Sequence, residues 1–178
     1  MNNKLMVLLV ATLAALGSDI AGAEGFFVGG SLGIGEVEFS RDRQPAGLER
    51  DDRLATLKAF GGYQVNNFFA VEGSLVGAAN DEDGLEEVTF GAITAAAVGI
   101  IPVSEAFDLF GKGGFYFGES EVANTGTQDE SGFLAGAGFA IKFGSRRQFG
   151  IRLEYEYYDV DKLDDYWSVT GGFQFNFR

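Results

Sequence analysis

The stretch "FGIRLEYEYY", residues 149–158, alternates without a break: Phe149, Ile151, Leu153, Tyr155 and Tyr157 take one set of positions, and Gly150, Arg152, Glu154, Glu156 and Tyr158 the other. Successive side chains of a β-strand point to opposite faces, so the stretch predicts a strand with one apolar face and one ionic face. Which of the two faces is hidden from water decides the fold.

The same phase recurs on either side. Upstream, Phe133, Ala135, Ala137, Phe139, Ile141 and Phe143 oppose Leu134, Gly136, Gly138, Ala140 and Lys142. Downstream, "WSVTGGFQFNFR" (167–178) sets Trp167, Val169, Gly171, Phe173, Phe175 and Phe177 against Ser168, Thr170, Gly172, Gln174, Asn176 and Arg178. Earlier in the chain, Ala55, Leu57, Ala59, Gly61, Tyr63 and Val65 oppose Thr56, Lys58, Phe60, Gly62 and Gln64, and Phe69, Val71, Gly73 and Leu75 oppose Glu72 and Ser74. In "FDLFGKGGFYF", Lys112 shares its side with Asp108 and Tyr116.

Period-2 patterning therefore predicts eight strands, near 26–39, 53–65, 68–79, 88–103, 107–122, 132–143, 149–158 and 166–177. The connections at 66–67, 104–106 and 144–148 are short, whereas 41–52, 80–87, 124–131 and 159–165 are long and mostly acidic. Short and long connections alternate, as they do in an up-and-down meander with two distinct rims. The weakest alternation is in "VTFGAITAAAVGIIPV" (88–103). Gly91, Gly99 and Pro102 make it a poor spanning helix, and it reads as the fourth strand.

A soluble lipocalin-like carrier would turn the apolar set inward and the charges outward. A bilayer reverses this, and closure of the sheet satisfies every backbone hydrogen bond in hydrocarbon. The expectation is an all-β fold: an eight-stranded antiparallel transmembrane β-barrel in one domain, residues 24–178. Lys58, Glu72, Lys112, Lys142, Arg152, Glu154 and Glu156 would form a lumenal ion-pair ladder. Phe26, Phe27, Tyr63, Phe68, Phe69, Tyr157, Trp167 and Phe177 would form interfacial girdles.

Residues 1–23 read as a cleavable export signal: Lys4, then the apolar run 5–16, then small residues up to Ala23. As a helix, the apolar run would be roughly 18 Å long, short of the roughly 30 Å hydrocarbon core.

Composition excludes several functions. The net charge of -13 argues against nucleic acid, which needs clustered Lys and Arg. Absence of Cys removes disulfides and thiolate metal sites, and absence of His removes the commonest general base and metal ligand. "GGSLGIGE" and "GKGG" lack nucleotide-binding registers. Glu154 and Glu156 could imitate a catalytic carboxylate pair, but neighbouring Arg152 favours a structural ion pair. The acidic loops bearing Asp81, Glu82, Asp83, Glu86 and Glu87, and Asp159, Asp161, Asp164 and Asp165, lack an EF-hand register and offer at most loose divalent-cation binding.

"GFFVGGSLG", "GGYQVNNFFAVEGSL", "FDLFGKGGFYF", "IRLEYEYYDV" and the Phe-rich terminal strand together resemble the small outer-membrane β-barrel family, similar to the transmembrane domain of OmpA. The resemblance implies a Gram-negative outer-membrane location, short periplasmic turns, long external loops and a lumen plugged by charges, with Glu72, Arg152 and Glu154 as ladder residues. It also implies that Phe173, Phe175 and Phe177 serve as a signal to the barrel assembly machinery, with Arg178 following where the family usually ends on Phe. The fourth strand departs from the family by reading Ala95-Ala96-Ala97 where a lumenal base is usual, so Lys58 or Lys112 would substitute. The expected function is a non-enzymatic, porin-like envelope protein without cofactors. It would be monomeric, in contact with outer-membrane lipid and lipopolysaccharide. The alternatives are a narrow ion channel and the soluble carrier.

Overall fold

Alternation along each strand becomes, in space, an inside and an outside. In this computed structural model, which describes residues 25–37, 52–79, 88–122, 126–159 and 166–177, the strands are β1 (Gly25–Val37), β2 (Asp52–Asn66), β3 (Phe69–Ala79), β4 (Val88–Pro102), β5 (Phe107–Val122), β6 (Gly126–Phe143), β7 (Phe149–Tyr158) and β8 (Tyr166–Asn176). Each pairs antiparallel with its sequence neighbour, and β8 returns to β1 to close the barrel. Even the shortest strand, β7 with 10 residues, meets the about 9–11 residues a tilted strand needs to cross hydrocarbon.

The faces sort as the phase of 149–158 requires. Leu32 (68%), Phe117 (66%) and Phe133 (61%) lie open on the outer surface, while Lys58 and Glu156 are each 1% exposed within the lumen. In water this arrangement would leave a continuous apolar belt uncovered and bury charge at a cost of several kcal/mol per ion, on the order expected for desolvation. It is the inverse of a soluble carrier.

The short turns are locally specified. Phe68 donates its backbone N–H to Asn66 Oδ1 at 2.8 Å, and Ala106 donates to Ser104 Oγ at 3.3 Å. In the third turn, Gly144 has φ of 92°, a left-handed conformation that suits glycine, and Arg146 donates its backbone N–H to Gln148 Oε1 at 3.0 Å.

The outline bears out the fourth strand and sharpens its phase, and it differs from expectation at one loop. The fourth strand has a clear phase: Ala92, Thr94, Ala96 and Val98 are buried, while Ala95, Ala97 and Gly99 are exposed. Its alternation is blurred in sequence because both faces carry small residues. The supposed long loop 124–131 is mostly strand. β6 starts at Gly126, opposite Val122, and β4 accompanies β5 as far as Val88, also opposite Val122. β7 stops at Tyr158, opposite Leu134, so β4 to β6 rise above it at the loop rim. Apolar alternation reports only strand that has lipid on one side. Above the membrane, backbone pairing continues without it.

With eight strands the interior is narrow enough for side chains to fill. The β1–β8 seam depends on this closeness: a Cβ at Gly172 would fall on the Gly30 carbonyl oxygen and the Ser31 side chain. Gly172→Ala is expected to destabilise the barrel by about 1–3 kcal/mol through overpacking at the closing seam, read as a lower denaturant midpoint in lipid vesicles. An unchanged midpoint would show that the seam can open to admit the methyl group.

Candidate functional site: the charged lumen

Four strands bring six charges together. β2 supplies Lys58, β3 Glu72, β5 Lys112, and β7 Arg152, Glu154 and Glu156, each no more than 7% exposed. Lys58 Nζ lies 2.8 Å from Glu154, 2.9 Å from Glu156 and 3.7 Å from Glu72. Lys112 Nζ lies 3.1 Å from Glu72 and 2.7 Å from Glu154, and also pairs with Glu156. Arg152 reaches Glu72 at 2.6 Å and Glu154 at 3.1 Å. Both lysines therefore touch all three carboxylates, and three positive charges balance three negative ones.

Glu154 and Glu156 are each bridged by Lys58 and Lys112, which leaves neither as an isolated acid or base. Glu72 takes its cations from β2, β5 and β7, none of them from β4, whose inward positions are small or hydroxylated. Below the cluster, on the side of the short turns, the Arg152 guanidinium is flanked by two rings. Its Cζ is 4.8 Å from the Phe60 centroid and 4.2 Å from that of Phe110. Such desolvated cation–π contacts are worth up to about 2 kcal/mol.

Lys142, placed in the ladder by its phase, lies apart from the six. It pairs with Asp108 at 2.7 Å near the turn rim, where both side chains keep some exposure. There Gln64, Asp108, Lys142 and Gln174 line a vestibule whose floor includes Glu72 and Arg152. At the outermost edge Arg147 and Glu105 join two turns by a further ion pair.

Beyond the cluster, toward the loops, the lumen is filled by Tyr116, Tyr158 and Tyr166. These rings, and the Phe60–Arg152–Phe110 sandwich, were not singled out from the sequence. The available signal was an aromatic residue in phase with the charges: Phe60 two residues from Lys58, Phe110 between Asp108 and Lys112, and Tyr158 two beyond Glu156.

The residues expected to form girdles stand near strand ends. Tyr63 meets Phe26 edge to face at 5.0 Å, Phe69 is exposed, Tyr157 and Trp167 are partly exposed, and Trp167 stacks on Tyr155 at 6.2 Å. Phe173, Phe175 and Phe177 all face outward, and Phe175 packs on Phe149 and Phe177. Phe27 does not belong with them. It is buried in the lumen, 6.4 Å from Phe60, because adjacent Phe26 and Phe27 on one strand cannot both face lipid.

Among the described residues no group of acidic side chains is arranged to hold a metal ion. The acidic stretches at 80–87 and 160–165, to which loose cation binding was ascribed, lie outside the described residues, as does the export signal.

A closed sheet with an apolar exterior and charges paired inside is a transmembrane β-barrel. The chain belongs to the outer membrane protein beta-barrel domain family, which it matches over residues 5–177, and its place is the outer membrane. Solved structures with the same fold include Neisserial surface protein A (TM-score 0.67, 12% identity, covering 86% of this chain and 97% of that one). The attachment invasion locus protein Ail of Yersinia pestis is also similar (0.60, 20% identity, 86% and 99%). So is the N-terminal β-barrel domain of OprF from Pseudomonas aeruginosa (0.60, 14% identity, 86% and 98%). No curated protein matches the chain. The soluble-carrier alternative is thereby set aside.

Proposed function

We propose that this is a non-enzymatic envelope protein: a monomeric barrel that reinforces the outer membrane, presents acidic loops to the exterior and keeps its lumen shut with paired charges. The observation that carries this reading is the six-charge cluster, buried and electrically balanced across β2, β3, β5 and β7. A lumen filled by paired side chains offers no free path for solutes. An enzyme needs a nucleophile or an acid–base pair open to substrate, and the carboxylates here are committed to lysine and arginine.

The outer surface supports the remaining partners. Apolar side chains emerge on every strand, which suits a barrel surrounded by lipid and lipopolysaccharide rather than by copies of itself. The outward row of Phe173 and Phe175 on β8 and Phe177 just past it suits recognition by the assembly machinery, since β8 is a strand of the closing seam. The acidic loops, by their charge, suit loose divalent bridging to lipopolysaccharide phosphates.

The rival reading is a narrow ion channel, and the vestibule reaching inward to Glu72 and Arg152 favours it. Planar-bilayer recording of the purified barrel separates the two. The plugged barrel is expected to give no steady unit conductance. Steady steps that change when Arg152 or Glu72 is neutralised would establish the channel instead.

A further inference from the structure

The lumen is not alike at its two ends. From the short-turn side the vestibule reaches the floor formed by Glu72 and Arg152. On the loop side, above the charges, the filling is aromatic and close-packed. Tyr116 and Tyr158 are 0% exposed and Tyr166 is 2%. Tyr158 packs on Tyr116 and on Tyr166, each at 5.5 Å between centroids.

Hydrogen bonds hold these rings in place. Tyr166 shares a hydrogen bond of 2.8 Å with Thr56 Oγ1, and the Tyr116 hydroxyl donates to the Asp159 carbonyl at 3.0 Å. Around them pack Leu54 from β2, Val76 and Ala78 from β3, Ala92 from β4 and Leu134 from β6. β1 takes part by leaving room, since a Cβ at Gly35 would fall on the Tyr166 ring. Every strand of the barrel thus contributes to one continuous layer.

We infer that this tyrosine layer is a second seal, separate from the ion cluster, which makes the lumen a blind vestibule open to water and small ions from the turn side only. The inference rests on the reading of the lumen as closed and goes beyond it: disrupting the ion pairs deepens the vestibule without opening a pore. The lumen at the level of the cluster is polar beyond the ion pairs, for the buried hydroxyls of Ser31, opposite Lys58, and Thr170, opposite Glu154, find no protein partner among the described residues. Groups of this kind are met by buried water. Ion pairs alone are a poor barrier once hydrated, whereas a close-packed ring layer whose hydroxyls are hydrogen-bonded to the protein leaves water little room and little polar surface to follow.

The chain has no cysteine, so a single introduced thiol reports one position without ambiguity. Gln174→Cys places a thiol in the vestibule, and Ser168→Cys places one beside Glu156, beneath Tyr166. With the protein in lipid vesicles and methanethiosulfonate ethylammonium as probe, Gln174→Cys is expected to label and Ser168→Cys to stay protected. In the charge-balanced E72A/R152A background, Ser168→Cys gains labelling from the turn side only, while bilayer recordings stay silent. Adding Tyr116→Ala, Tyr158→Ala and Tyr166→Ala then produces steady conductance. Unit conductance in E72A/R152A with the tyrosines intact overturns the inference, as does labelling of Ser168→Cys in the otherwise native barrel. Should E72A/R152A lose the heat-modifiable gel mobility of a folded barrel, the tyrosine triple variant decides alone. There Ser168→Cys is expected to lose its protection from the loop side, and continued protection refutes a tyrosine seal. Steady conductance in the unmodified protein would sink the closed-lumen reading itself, a result distinct from conductance that arises only in E72A/R152A.

Discussion

Lys58→Met is expected to lower the unfolding free energy of the barrel, its stability, by about 3–5 kcal/mol, the cost of leaving a buried charge uncompensated. Lys58 is 1% exposed and touches Glu72, Glu154 and Glu156. Without it, three carboxylates face two cations in a space that water reaches poorly. Methionine keeps most of the volume, so the loss is electrostatic rather than a cavity effect. The control is the double variant Lys58→Met with Glu156→Leu, which leaves Lys112 and Arg152 against Glu72 and Glu154. Restored balance is expected to recover most of the stability, giving a coupling energy of about 2–3 kcal/mol in a double-mutant cycle. Equilibrium unfolding in lipid vesicles measures each corner. If the single variant unfolds at the native midpoint, the cluster is hydrated and weak, and it does not hold the strands together.

A second large effect is expected on the other face of the same strand. Leu57 is 60% exposed at mid-barrel, one residue from Lys58. Leu57→Arg places a charge in hydrocarbon and costs about 2–4 kcal/mol, whereas Val103→Arg at the turn rim costs about 0–1 kcal/mol. The difference between two exposed positions is the signature of a bilayer: in water, both substitutions would be nearly neutral. Equal tolerance at the two sites would remove the lipid from the account of this surface.

The inside-out arrangement was legible because one phase governs whole strands. Once Arg152, Glu154 and Glu156 were seen to alternate with Ile151, Leu153 and Tyr155, Lys58, Glu72 and Lys112 followed from their own strands. What alternation cannot give is height along the barrel axis. Lys142 shares the inward phase but sits near the turn rim, where Asp108 is its partner, because β6 ends there at Phe143. Phase also fails where two neighbours are alike, as at Phe26 and Phe27, and where a strand continues through a polar stretch, as at 126–131. The tyrosines share the ionic phase in sequence, but a ring on that face reads locally as an exception. Only the closed register, which brings β5, β7 and β8 to one level, shows three such exceptions meeting.

The partners within the cluster are distant along the chain: Lys58 and Glu156 are 98 residues apart, Lys112 and Glu72 are 40. None of β2, β5 and β7 is hydrogen-bonded to another of the three, so the ladder of backbone bonds alone would let the sheet zip up strand by strand. The carboxylates change that. A half-rolled sheet would carry Glu154 and Glu156 across the membrane with only Arg152 of their own strand beside them, and their two lysine partners would arrive only as β2 and β5 come round. The charges thus favour the closed sheet over a partly rolled one, because only closure brings the carboxylates of β7 to the lysines of β2 and β5.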